Sequence, residues 1–195
     1  MKDVPIFICA KDRNTMLKAV VDRLHEQGYD NLTIIDTGST WPGMLEYLDA
    51  CGVPVERVEV KVLPHRAIWS CGVLEKHGLV GKPYVYTDCD VMPDEGCPDD
   101  WCERLSGLLE KYPKYAKAGL GLRIDDLPVC YDKAQNVRGW EARFWSNPLE
   151  WEVYEAEIDT TLALYRGGQA GFALGIRTGG KYVARHLPWY SDTAN

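Results

Sequence analysis

Short apolar runs alternate with longer amphipathic stretches through the first half of the chain. "VPIFICA" is apolar along its whole length, which predicts a strand covered on both faces. In "NTMLKAVVDRLHEQG", Met16, Leu17, Val20, Val21 and Leu24 recur at helical spacing, with Asn14 placed to cap the helix and Gly28 to end it. The rhythm then repeats. "NLTIIDTGS" predicts a second strand and turn, "WPGMLEYLDACG" a short helix, "VERVEVKVL" a third strand, "HRAIWSCGVLEKHG" a helix and "KPYVYTDCD" a fourth strand. Units of about 25 to 30 residues are the size of βα repeats, so the pattern predicts an α/β fold with a largely parallel sheet.

The second half is less regular. "PDDWCERLSGLLEKYP" reads as a helix with two acids in its first turn, favourable against the macrodipole. "KAGLGLRIDDLP" is a Gly-bearing strand that ends in an acidic pair, and "NVRGWEARFWSN" is helical. "WEVYEAEIDTTLALYR" is rich in β-branched and aromatic residues, which predicts strands that pair antiparallel.

Composition narrows the classes. A chain of 195 residues with 46% hydrophobic and 26% charged residues can bury one substantial core, so a single domain over residues 1–195 is expected. The apolar run in "MKDVPIFICAKDR" is too short for a signal peptide or a membrane span. Seven scattered cysteines, an odd number, favour free thiols in a reducing compartment, and with them a cytoplasmic location. A formal net charge of -7 repels phosphate, which argues against sequence-independent nucleic-acid binding. Any anionic ligand therefore needs a local cation.

The candidates for that chemistry gather at strand ends. Asp88 and Asp90 close an apolar strand, with Asp94 shortly after. Their i, i+2 spacing puts Asp88 and Asp90 on one side of a pleat about 7 Å apart, room for a hard cation with oxygen ligands. Spacing alone says little in an acid-rich chain. Position says more, because ligands of open α/β sheets bind at the carboxyl ends of strands; the alternative is a solvated turn. Cys89 between them points into the core as a small hydrophobe. Cys97 and Cys102 lack the further ligand a zinc site needs.

Asp36 in "IIDTGST" can accept from a base imide or ribose hydroxyl, with Gly38 allowing close backbone approach, or it can close an Asx turn. Lys11 and Arg13 follow the first strand, and His65 and Arg66 the third; converging, they suit a diphosphate, and apart they are ordinary loop charges. Glu157 and Asp159 alternate with Ile158, so either can act as a general base or lie on a solvated edge. His186 in "ARHLPWY" is a metal ligand, a phosphate contact or a packed histidine. Trp69, Trp140, Trp145, Trp151 and Trp189 are core by default, although sugars stack on such rings.

The order "PIFICAKDR", "LTIIDTGST", "PHRAIWSCGV", "YVYTDCDVMP", "GLGLRIDDLP", "EIDTTLALYR", "ARHLPWY" resembles a small GT-A glycosyltransferase of the kind that glycosylates bacterial and viral polysaccharides or capsids. The resemblance covers nearly the whole chain. It implies a Rossmann-like nucleotide-diphospho-sugar transferase fold with a central mixed, mostly parallel sheet. Residues 1–96 would form the nucleotide-binding half and 97–195 the acceptor-side half. It also implies that Asp36 contacts the nucleoside, that His65 and Arg66 lie along the nucleotide, and that Asp88 and Asp90 form the DxD motif. That motif would hold Mn²⁺ or Mg²⁺ on the diphosphate of a nucleotide sugar such as a UDP-sugar, with His186 joining the metal. Asp159 and Asp126 are the candidates for the catalytic carboxylate, Asp159 slightly preferred.

The expected activity is metal-dependent transfer of a hexosyl group to a hydroxyl of a glycan or glycoprotein. No separate acceptor domain follows the motifs, so a shallow acceptor site, a partner or further domains of a longer protein are expected. Two alternatives stay open. A sugar nucleotidyltransferase uses a related sheet but begins with a Gly-rich phosphate loop, and "ICAKDRNT" has no Gly. A non-catalytic nucleotide-sugar or glycan-binding module needs the same acids without turnover.

Overall fold

A computed structural model describes residues 1–60, 63–158, 161–167 and 174–191. The predicted alternation is present at the N-terminus as β1 (Ile6–Ala10), α1 (Asn14–Glu26), β2 (Leu32–Asp36), α2 (Pro42–Ala50) and β3 (Val55–Arg57). A 3₁₀ turn at Pro64–Arg66 leads into α3 (Ala67–Ser70) and α4 (Val73–Lys76), then β4 (Tyr84–Asp88) and β5 (Val91–Pro93). The remainder comprises α5 (Trp101–Lys111), β6 (Lys117–Leu122), α6 (Ala134–Glu141), β7 (Pro148–Glu150), β8 (Val153–Glu157), β9 (Ala163–Tyr165) and β10 (Leu174–His186).

The strands form one mixed sheet in the order β3-β2-β1-β4-β9-β6-β10-β8-β7, with β5 paired to β10. β1 to β4 are mutually parallel, and β10 runs parallel to β6. β9 is antiparallel between β4 and β6, and β8 is antiparallel to β10, as the β-branched stretch predicts.

Both faces of the sheet are covered, which explains the unbroken apolar run of β1. Ile6, Ile8 and Ala10 pack with Leu17, Val20, Leu24, Trp101 and Leu105 on the α1, α2 and α5 side. Phe7 and Cys9 face the other way, against Ala67, Ile68, Val73, Leu74, Tyr84 and Tyr86. Cys89 is buried among the first group, as expected of a small hydrophobe.

Several local expectations are corrected. Asn14 does not cap α1: it is the first helical residue, Arg13 stands at the cap without a side-chain hydrogen bond, and Asn14 Nδ2 donates to the Gly43 carbonyl at 3.3 Å. The predicted third helix is broken, because Gly72 adopts φ +70° between α3 and α4. The third strand shrinks to three residues. Asp99 and Asp100 precede α5, whose first-turn acid is Glu103. Trp140 and Trp151 are exposed rather than core, at 60% and 86% of their accessible surface.

Candidate functional site

β4 delivers Asp88 as its last residue, half-buried, while Asp90 lies in the turn that follows. The two acids therefore do not share one strand face. A second element makes the site: β10 returns beside β5, pairing His186 with Val91, and the Leu187 amide donates to the Asp90 carbonyl at 2.8 Å. That pairing sets His186 Nε2 at 3.6 Å from Asp90 Oδ2. Arg13, at the start of α1, donates to the same oxygen.

Burial is the largest influence on His186 and lowers its pKa; Asp90 opposes this and Arg13 adds to it, so the balance favours the neutral imidazole. Its Nδ1 is buried without a hydrogen-bond partner among the described residues. Two carboxylates and a neutral imidazole are a donor set that suits Mn²⁺ or Mg²⁺. Among the described residues no three such groups are already converged as a metal-binding cluster. The fit is thus one of ligand type, with Arg13 on the Asp90 oxygen.

Asp94 does not join this set. Its carboxylate accepts from Arg185 Nε at 2.6 Å, Arg123 Nη1 at 3.3 Å and the Gly96 amide at 3.0 Å. Burial works against its ionisation, but the hydrogen bonds from Arg185 and Gly96 and the two positive charges outweigh it and hold its pKa below the usual range. Asp126 belongs to the same network. Its Oδ2 accepts from Arg185 Nη2 at 2.6 Å and its Oδ1 from the Tyr190 hydroxyl at 2.8 Å. Both oxygens are engaged, and Asp126 does not line the cavity described below.

At the carboxyl end of β2, Asp36 is buried and its Oδ1 accepts the Ser39 amide at 3.0 Å, closing the turn. Asp12, which the sequence did not single out, clamps this loop: it sits at φ +50° and accepts the Thr40 and Trp41 amides at 2.8 Å each. The Cys9 thiol meets the Pro64 carbonyl at 3.4 Å, so the turn carrying His65 and Arg66 is pinned near the end of β1. Lys11 is exposed directly after β1.

Asp88 and His186 open onto a cavity of about 300 Å³ whose far wall holds Glu141, Thr161 and Arg177. Arg177 Nη1 donates to Glu141 Oε2 at 3.0 Å and Nε to the Glu157 carbonyl at 2.8 Å. Burial raises the pKa of Glu141 and outweighs the opposing pull of Arg177. Glu157 is exposed and lines the cavity. Asp159 lies outside the described residues. Glu141, Thr161 and Arg177 escaped the sequence reading; the one available signal was an arginine in the otherwise apolar "LGIRTGG".

No family model and no curated protein sequence matches the chain. Solved structures do match. Glucosyl-3-phosphoglycerate synthase from Mycobacterium tuberculosis, in complex with phosphoglyceric acid, aligns with a TM-score of 0.50 and 16% identity over 84% of this chain and 56% of that one. A mycobacterial protein aligns with a TM-score of 0.53 and 14% identity over 94% of this chain and 67% of that one. The chain has the GT-A fold. The same synthase in complex with Mn²⁺, uridine diphosphate and glucosyl-3-phosphoglycerate aligns with a TM-score of 0.50 and 16% identity, over 84% of this chain and 56% of that one. This GT-A chain thus spans little more than half the length of the synthase. Among its described residues, no helix is long and apolar enough to cross a membrane.

Proposed function

We propose that the protein is a metal-dependent glycosyltransferase that moves a hexosyl group from a nucleoside-diphosphate sugar, such as a UDP-sugar, to an acceptor hydroxyl. The observation that carries this reading is the meeting of Asp90, His186 and Arg13 beside Asp88 at the carboxyl end of β4 in a GT-A fold. Support also comes from the neighbour solved with Mn²⁺ and uridine diphosphate.

Asp88, Asp90 and His186 would hold the cation. When bound, it supplies Lewis-acid stabilisation for the negative charge that grows on the departing diphosphate. Arg13 is half-exposed and, released from Asp90, can turn its guanidinium to the phosphates, where a planar fork binds two oxygens at once. Lys11, after β1, and His65 and Arg66, in the turn pinned to Cys9 through Pro64, would offset the chain's acidity there. The nucleoside would lie toward Asp36, whose Oδ1 keeps the turn closed. Asp126 is tied to Arg185 and Tyr190 and does not line the cavity, so we assign the role of base to Asp159, where an inverting reaction requires one.

Hydrolysis of UDP-sugars with and without Mn²⁺, beside a calorimetric titration of Asp90→Ala, tests the proposal. We expect turnover only with the ion, and loss of metal-dependent donor binding in a variant that still folds. Donor affinity unchanged in Asp90→Ala would remove the metal assignment, and binding without turnover on any donor or acceptor would leave a binding module.

A further inference from the structure

One guanidinium in the cavity is uncommitted. Arg177 is tied to Glu141 and to the Glu157 carbonyl, and Arg13, Arg123 and Arg185 are paired with acids. Arg143 is exposed and lines the same cavity, yet among the described residues its guanidinium makes neither an ion pair nor a hydrogen bond. The chain has 29 acidic residues against 22 lysines and arginines, so a cation left over in a cavity that also holds Asp88 and Glu157 calls for a reason.

Its contacts are with rings. The Arg143 guanidinium lies 3.4 Å from the centre of the Trp140 ring and 4.5 Å from that of Phe144. Stacking covers the face of a guanidinium and leaves its N–H edge, the edge that grips a carboxylate or phosphate with two parallel hydrogen bonds. Arg177 lies 4.0 Å over the same Phe144 ring, so two positive charges share this wall while one carboxylate, Glu141, offsets one of them. An arginine stem over a tryptophan is also ordinary packing. The turn that carries Arg143 is what distinguishes it. In this 3₁₀ turn, Ala142–Trp145, the preceding Glu141 is locked to Arg177 with both side chains buried. At the far end Trp145 packs where side chains are missing: a Cβ on Gly121 or Gly179 would stand 2.6 Å or 3.0 Å from its ring. A residue presented by a turn anchored at both ends is pre-organised, so a ligand that engages it bears little ordering cost.

The proposed donor does not need this cation. Its diphosphate has the metal ion and Arg13 at the strand-end acids, whereas Arg143 comes from the turn after α6. We propose that Arg143 reads an anionic acceptor: the molecule that receives the sugar carries a carboxylate or a phosphate beside the hydroxyl it offers. This rests on the transferase reading and narrows it, since a neutral acceptor gains nothing from the charge that the cavity leaves free.

The test uses matched probes on the protein with Mg²⁺ and UDP: methyl glucuronide against methyl glucoside, and glucose 6-phosphate against glucose, at one ionic strength. NMR titration gives each affinity and follows the Nε–H signal of Arg143, identified by its loss in Arg143→Met. At least one anionic probe should bind about tenfold more tightly than its neutral partner, the worth of one charge-assisted contact, and should shift that signal. The pair that shows the gain tells carboxylate from phosphate. Arg143→Met keeps a stem over Trp140 and removes the charge. It should erase the gain and leave the melting temperature and the UDP affinity unchanged, while Arg143→Lys, a charge without the fork, should restore part of it.

Equal binding within both pairs, no binding of any probe, or a gain that survives in Arg143→Met would overturn the proposal. So would weaker UDP binding in Arg143→Met, which would move the residue to the diphosphate. The two readings separate: UDP binding without any preference for the anionic probes sinks this inference alone. An anion preference that depends on Arg143 in a protein that does not bind UDP keeps the anion site and sinks the transferase.

Discussion

Arg13 and Asp90 form an ion pair on which, in the proposed function, ligand entry turns. A cation and a guanidinium compete for one carboxylate oxygen, so removing Arg13 should help one ligand and harm the other. Arg13→Ala is expected to tighten Mn²⁺ binding in the absence of nucleotide and to weaken UDP binding about tenfold, the loss of one charge-assisted contact. Paired calorimetric titrations of the ion alone and of UDP check this, and equal shifts in both would contradict it. Asp94 behaves differently, because its arginines are structural. Its folded pKa lies below the unfolded value of about 3.9. Its contribution to stability is present above that value and is lost as the pH falls through the folded pKa. Urea unfolding between pH 2 and 5 should show a shallower acid limb for Asp94→Asn than for the wild type.

At the level of elements, the pairing of β5 with β10 brings His186 to Asp90 in the candidate site, and neither strand was legible as a site-builder. β1, β2, β4, α1 and α2 could be read because their apolar periods are long and their faces are covered by local partners. β5 has only three residues and ends in Pro93, too short to show a period. β10 interrupts itself: its partner residues jump from Thr178 to Val183, and Thr178 Oγ1 closes the excursion on the Tyr182 carbonyl at 2.7 Å. Asp90 and His186 were therefore recognisable as residues, while their approach depended on a long-range pairing that no local pattern encodes. The acid-rich turn misled in one respect, since Asp94 is paired with Arg123 and Arg185 of this chain. The same excursion explains Gly121. A Cβ there would stand 2.4 Å from the Thr178 carbonyl oxygen and 2.6 Å from the Trp145 ring. Gly121→Ala should cost about 1–3 kcal/mol in chemical denaturation through overpacking, and a neutral result would mean that the β6–β10 contact can relax.

Across the whole molecule, the Glu141–Arg177 pair joins α6 to β10 through side chains that are only 6% and 3% exposed. Burying two charges gains little net stability, because desolvation offsets their attraction, whereas stranding one of them is severe. Glu141→Leu or Arg177→Met alone should therefore destabilise the protein by about 3–5 kcal/mol, and the double variant should recover most of that loss. If the pair served only to hold α6 against the sheet, the recovered double variant would also keep its ligand preferences. If its carboxylate faces the transferred sugar of the proposed function, the double variant will fold, bind UDP as the wild type does and no longer distinguish a UDP-sugar from UDP. Denaturation and donor titrations on the same four proteins decide between these outcomes. A stable double variant with wild-type sugar preference would return the pair to a purely structural role.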